Sequence, residues 1–222
     1  MTALVSILIP AYNAERWIGE TMRSALDQTW SHKEIIVVDD GSRDNTLVVA
    51  KRYESKHVKV LSQDNEGASA TRNRALEHAQ GDYIQWLDAD DLLAQDKISE
   101  QLKESECCQS SRVLLTSALG RFFFRPHRAK IIPNPLWRDL LPVEWLLIKF
   151  NENVWMNPAA FLVSRRLSDL AGSWNVHLSL DDDGEYFSRV VAARSLSDIR
   201  KHGNFGARIW LRINDLDSAT MN

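Results

Sequence analysis

"EIIVVDDGSRDNTLVVAKRYESK", residues 34–56, carries a strand, a turn and a helix in one unbroken run. Ile35 to Val38 are apolar and β-branched, which suits a strand buried on both faces. Asp39, Asp40, Gly41 and Ser42 are turn formers. Residues 44–56 then read as a helix, with Ser42 or Asp44 as its cap. The same order recurs on either side. "LVSILI" (4–9) is a strand closed by Pro10, and 15–28 is a helix with Ile18, Met22 and Leu26 four residues apart. "VKVLS" (58–62) is a third strand and 68–79 a third helix. "DYIQWL" (82–87) is a fourth strand, entered through Gly81. Strands that alternate with helices build a mostly parallel sheet with helices on both faces, a Rossmann-like α/β fold.

Such sheets bind ligands outside the carboxyl ends of their strands. Polar clusters follow all four strands: "PAYN" (10–13), "DDGS" (39–42), "QDNEG" (63–67) and "DADD" (88–91). They are therefore expected along one edge of one sheet.

The second half is less regular. Residues 112–127 read as strands around Gly120, and 142–150 as a short helix opened by Pro142. Residues 159–174 read as a strand running into a helix that ends at Gly172. Residues 181–194 read as an acidic start to a helix whose apolar face holds Phe187, Val190 and Val191. The change of style near residue 110 suggests one domain over 1–222 with two functional halves (1–110 and 111–194) and a divergent segment (195–222).

With 222 residues, 44% hydrophobic and 26% charged, the chain is large enough for a full core without staples. A net charge of -3 argues against a nucleic-acid partner. Cys107 and Cys108 are adjacent, which makes no disulfide framework and fits a reducing compartment as two ordinary thiols. The first apolar run lacks a basic start and stops at Pro10, so no signal peptide is expected. No apolar run reaches the ~20 residues of a membrane span. A cytoplasmic protein is expected. The Trp- and Phe-rich stretches 121–130 and 135–150 leave room for peripheral contact with the inner face of the membrane, though core packing is the favoured reading.

The site chemistry follows from residue types. Asp88 and Asp90 lie two apart beyond a strand and face the same way, as a hard cation such as Mn²⁺ or Mg²⁺ requires; the competing reading makes Asp90 a helix cap. Asp91 is a cap or a supporting partner. Asp39 and Asp40 can accept hydrogen bonds from a base or ribose, or simply serve the turn. Arg72, behind the flexible Gly67, can hold phosphate with two parallel bonds or lie solvated on its helix. Tyr12, with Pro10 and Asn13 beside it, offers a flat face to a base, or packs. Together these describe a pocket for a nucleoside diphosphate. No Gly-x-Gly-x-x-Gly follows the first strand and no Gly-x-x-x-x-Gly-Lys occurs, so a nicotinamide dinucleotide and a phosphate loop are excluded.

In order and spacing, "VSILIPAYN", "EIIVVDDGSRDNT", "NEGASATRNRAL", "GDYIQWLDADD" and "AGSWNVHLSLDDDGEYFSRV" resemble the successive motifs of family 2 glycosyltransferases over about residues 3–194. The resemblance implies a GT-A fold and inverting transfer from a nucleotide-diphospho-sugar, UDP-linked, to a saccharide or lipid-linked acceptor. It implies Asp88 and Asp90 as the metal pair, Asp40 on uracil, Tyr12 stacked on the base, and Arg72 on the diphosphate. The general base falls in "LDDDGEYF", on Asp183 or Asp182, with Asp183 favoured. A helix-start role for both acids is the competing reading. Trp155 and Trp174 either line an acceptor pocket or pack. The last segment departs from the family pattern. Two rivals remain: a non-catalytic nucleotide-sugar-binding homologue, and a Mg²⁺-binding receiver-type signalling domain. The second is disfavoured by length and by the lack of a strand-end lysine. Sequence leaves the sugar, the acceptor and the oligomeric state open.

Overall fold

The computed structural model describes residues 2–105, 111–123, 126–138, 140–178, 180–193 and 208–212, the last five and Ser105 by backbone only. Cys107, Cys108 and most of the divergent segment lie outside the described residues.

Four parallel strands form the frame: β1 (Val5–Ala11), β2 (Lys33–Asp40), β3 (Val58–Gln63) and β4 (Tyr83–Trp86). They stand in the order β3-β2-β1-β4, with Ile9 beside Val37 and Leu8 beside Trp86 in register. Val5, Ile7, Leu8 and Ile9 are wholly buried, as a central strand covered on both faces requires. Helices α1 (Ile18–Leu26), α2 (Thr46–Lys51) and α3 (Ala68–His78) are the crossovers. Both α1 and α2 are shorter than their periodicity suggests. Leu26 is partly exposed, and Thr21 and Ala25 share the buried face with Ile18 and Met22. Asp44 accepts the Thr46 N–H at 2.9 Å, whereas Ser42 turns to the Asn13 N–H at 3.0 Å.

The sheet continues with two strands from the second half. β9 (Leu162–Ser164) runs antiparallel to β4, and β6 (Leu114–Leu115) antiparallel to β9. The result is a six-stranded, mostly parallel sheet. A four-stranded sheet, unforeseen in the sequence, joins β5 (Leu92–Leu93), β7 (Ala118–Phe122), β8 (Lys130–Ile131) and β10 (Arg208–Arg212) in the order β5-β10-β7-β8. Gly120 sits inside β7 rather than between strands. β10 pairs in parallel with β7 and antiparallel with β5, which places part of the divergent segment within the fold.

Helices α4 (Lys97–Ser105), α5 (Pro142–Glu152), α6 (Arg165–Ala171) and α7 (Asp182–Ala192) complete the described α-helices. One hydrophobic core runs through both halves, from Val5 to Val191. α5 buries Trp145 while Val143, Leu147 and Phe150 are exposed, so it is a half-buried helix rather than a wholly internal one. Lys97 is wholly buried and donates to Gln85 Oε1, and desolvation pushes its pKa well below the lysine range.

Candidate active site

All four predicted strand ends meet at one cavity of about 590 Å³, well within the range of small-molecule sites. Pro10, Tyr12 and Asn13 enter from β1, Asp40 from β2, Asn65 and Gly67 from β3, and Asp88 and Asp90 from β4. Arg72 enters from α3.

The loops are braced against one another. Ser42 Oγ accepts the Asn13 N–H, and Asn13 Oδ1 accepts the Arg43 N–H at 2.9 Å. Asn13 itself takes a left-handed φ of 47°, a region asparagine tolerates. Tyr12 is 47% exposed, so its ring is open to a ligand. Asp40 is buried and accepts four bonds: Gln63 Nε2 at 2.8 Å, Asn65 Nδ2 at 3.1 Å, and the Glu66 and Gly67 N–H groups at 2.9 Å. An ionised carboxylate has about four acceptor positions. Asp40 therefore builds the β3–α3 loop, and a base contact from it requires one of these donors to give way. Gly67, at φ 91°, meets nothing where a Cβ would stand, so it is backbone conformation rather than crowding that calls for glycine. Asp39 is not among the cavity residues; Oδ2 accepts the Ser42 N–H at 3.2 Å, and buried Oδ1 has no hydrogen-bond partner. Of the two β2 acids, only Asp40 reaches the cavity.

Asp90 precedes β5, not a helix, which removes the helix-cap reading. Asp88 and Asp90 both line the cavity, and Asp88 Oδ1 receives Arg72 Nη2 at 3.1 Å. Among the described residues no third His, Cys, Asp or Glu joins them into a full coordination set. Two carboxylates beside an open cavity fit a hard cation that takes its other ligands from water and phosphate oxygens. Asp91 turns inward, buried, and accepts Asn157 Nδ2 at 2.8 Å.

Arg72 is the junction between the halves. It is buried, not solvated. Nη1 reaches Asp182 Oδ2 at 2.9 Å while Nη2 holds Asp88. Its guanidinium lies 4.5 Å over the Trp174 ring. Trp174 is 1% exposed and stacks on Tyr186 at 4.1 Å, so it packs and supports Arg72 rather than lining an acceptor pocket. Asn73 exchanges two bonds with the Trp174 backbone, at 2.9 and 2.7 Å, and so ties α3 to the approach to α7.

At the start of α7, Asp181 adopts a left-handed φ of 52°, and a Cβ at Gly184 would collide with its carboxylate. The next two acids differ in partners. Asp182 Oδ2 is held by Arg72 and by Ser69 Oγ at 3.0 Å. Asp183 Oδ2 accepts the Trp155 indole N–H at 2.5 Å, and Oδ1 accepts the Gly184 N–H at 2.8 Å. Burial raises the Asp183 pKa from its ordinary value. The Trp155 and Gly184 bonds pull it down, Asp182 raises it and Arg72 lowers it. Both acids sit in the first turn of a helix, as the competing reading has it, yet of the two only Asp182 is ion-paired, with the Arg72 it shares with Asp88.

Sequence reasoning passed over Ser69, Asn65 and the Trp155–Asp183 bond. Asn65 stood in the quoted "QDNEG" and had a signal. The other two are long-range contacts with none.

Residues 6–107 match the model of "Glycosyl transferase family 2". A putative teichuronic acid biosynthesis glycosyltransferase, TuaG, of Bacillus subtilis is 45% identical over 104 residues, 45% of this chain and 41% of that protein. WfgD of Escherichia coli, a UDP-Glc:alpha-D-GlcNAc-diphosphoundecaprenol beta-1,3-glucosyltransferase, is 39% identical over 100 residues, 45% of this chain and 40% of that one. The chain thus spans about two fifths of the length of these relatives. S. aureus TarS 1-349 in complex with UDP-GlcNAc superposes with a TM-score of 0.75 at 19% identity, over 95% of this chain and 59% of that one. The mannosyltransferase PcManGT from Pyrobaculum calidifontis, in complex with GDP-Man and Mn²⁺, gives 0.65 at 18% identity over 97% and 58%. At these identities the structures establish the fold, which is of GT-A type.

Proposed function

We propose, from the match of residues 6–107 to glycosyl transferase family 2, an inverting, metal-assisted transfer of a sugar from a UDP-linked donor to an acceptor hydroxyl. The whole of 1–222 acts as one domain in this reading. The observation that carries it is the convergence of four strand ends on one cavity, with Arg72 running from that cavity to the acidic start of α7. TarS was seen with UDP-GlcNAc and WfgD is named for UDP-Glc, which supports a UDP-sugar donor. The WfgD name also supports a lipid-linked saccharide as the acceptor class, in polysaccharide or glycolipid assembly.

Tyr12 receives the base on its exposed ring, with Pro10, Asn13 and Gly67 shaping the loop edges around the nucleotide. Arg72 offers its two Nη groups to the diphosphate as Asp88 and Asp182 release them. Mn²⁺ or Mg²⁺ would be held by Asp88 and Asp90, and would supply neutralisation of the charge that develops on the departing diphosphate. The Mn²⁺ in the PcManGT complex supports that choice. Asp183 takes the proton from the acceptor hydroxyl as its oxygen bonds to the anomeric carbon and the bond to the nucleotide breaks. One displacement inverts the anomeric centre. Asp183 suits this better than Asp182 because a neutral indole holds it, whereas Asp182 is paired with a permanent cation. Its raised pKa brings the base nearer to neutral pH.

The test is release of UDP from a panel of UDP-sugars with Mn²⁺. Asp183→Asn is expected to lower turnover by about 10²–10⁴-fold, the usual contribution of a positioned base. Calorimetry with UDP supplies the metal arm. Equal UDP affinity with and without Mn²⁺, in the parent and in Asp90→Ala, would remove the metal from the mechanism.

A further inference from the structure

Around α7 the rings of Trp145, Phe161, Trp174, Tyr186 and Phe187 are all buried, but Trp155 is 40% exposed. It is nonetheless fixed. Asn153 ends α5 in a left-handed conformation, φ 48°, and the Val154 N–H reaches back to the Lys149 carbonyl at 3.2 Å. The Trp155 carbonyl accepts Asn134 Nδ2 at 2.8 Å. Two residues on, Asn157 donates to Asp91 beside the acidic β4 loop. A short piece of chain therefore touches Asp91, next to the donor-side acids, through Asn157, and Asp183 through Trp155.

An indole N–H is a donor only and carries no charge. It can hold a carboxylate without neutralising it, which an arginine cannot. At Asp183 the indole holds Oδ2 and the Gly184 N–H holds Oδ1, so rotation of the carboxylate plane is stopped from both sides. We propose that Trp155 is a positioning residue, holding the Asp183 carboxylate in the one orientation in which an oxygen lone pair meets the acceptor hydroxyl. The proposal rests on the glycosyltransferase reading for the identity of the proton donor, but not for the hydrogen bond itself. The charges acting on Asp183 are Asp182 on α7 and Arg72 on α3; Asp181, just before α7, pairs with Lys149 Nζ of α5 at 3.5 Å, and Glu185 pairs with Arg189. Trp155 is the uncharged member of this group.

The test uses Trp155→Phe, which keeps a ring and removes the N–H. Carboxyl ¹³C titration of Asp-labelled protein follows Asp183 directly, its resonance assigned by its loss in Asp183→Asn. The Asp183 midpoint is expected to rise in Trp155→Phe, because a bond that favours the charged form has gone. With Mn²⁺ and UDP-GlcNAc or UDP-Glc, kcat is expected to fall about tenfold with donor KM within about twofold, since misorientation affects the reaction step more than donor binding. The acid limb of the pH profile moves up with the midpoint, and the melting temperature stays near that of the parent. An unchanged midpoint, or an unchanged kcat and acid limb, overturns the proposal. A parent that turns over no UDP-sugar defeats the glycosyltransferase reading, while the titration still decides whether the indole holds Asp183.

Discussion

The two sides of the cavity are built by different means. On the donor side the functional atoms sit at the ends of parallel strands, and the alternation of strand and helix puts them there. On the acid side they sit at the start of one helix, aimed by a few long-range contacts: Arg72 and Ser69 to Asp182, Trp155 to Asp183, Asn73 to the Trp174 backbone. The first kind of site is redundant, because four strands share the work of placing it. The second hangs on individual bonds, so one substitution can misalign it while the sheet stands.

The most damaging way to break this contrast is at the residue common to both sides. Arg72→Leu leaves Asp88 and Asp182 without their cation. A cost of about 3–5 kcal/mol in stability is expected, as for removal of one partner of a buried pair, and urea unfolding would measure it. Donor affinity should fall as well. A cost under about 1 kcal/mol would mean that the bridge is no more than a surface contact.

Asp40→Asn tests the donor side alone. It turns an NH₂ toward donors that now point at an oxygen, so at least one charge-assisted bond is lost, at about 1.5–3 kcal/mol. Because that loop is built locally, Asp183 should titrate as in the parent. A shifted Asp183 midpoint would show that the two sides are less separate than their construction suggests.

The smallest effect sharpens the acid side. Asp183 has its pKa raised above the ordinary 3.8, chiefly by burial. The folded state therefore binds the proton more tightly than the unfolded one, and this contribution to stability is full below 3.8 and lost as pH rises through the folded value. Asp183→Asn, which keeps an oxygen for the Trp155 indole, should raise the melting temperature at neutral pH. The gain should shrink on acidification and vanish below 3.8. A thermal scan against pH reads both ends. A gain independent of pH would place its origin elsewhere.

How much of this the sequence discloses follows the same division. Strands β1 to β4, the crossover helices and the meeting of "PAYN", "DDGS", "QDNEG" and "DADD" are legible because period and turn chemistry are local. The pattern even locates the acidic start of α7. It does not separate Asp182 from Asp183, since their difference lies in Ser69, Arg72 and Trp155, none of them neighbours in the chain. Nor does it separate Asp39 from Asp40, whose turn chemistry is alike and whose faces differ only once the strand is paired. The four-stranded sheet escapes for another reason. β5 and β8 have two residues each, too few for a period, and β10 lies in a weakly patterned segment. Trp174 reads equally well as a lining or a packing residue until its burial is known.

The placement of β10 bears on how the chain folds as it is made. Residues 208–212 complete a sheet whose other members were synthesised long before, since β5 begins at Leu92 and β7 at Ala118. Domains form as their residues emerge, at about 5–20 residues per second. The four parallel strands can assemble early, whereas β5 and β7 must wait several seconds for the strand between them. During that interval β5 has no strand partner and β7 lacks one of its two, beside a nearly finished cavity. A holding chaperone would gain most there, and a ribosome stalled before residue 208 should expose the nascent chain to proteolysis at β5 and β7 while β1 to β3 resist.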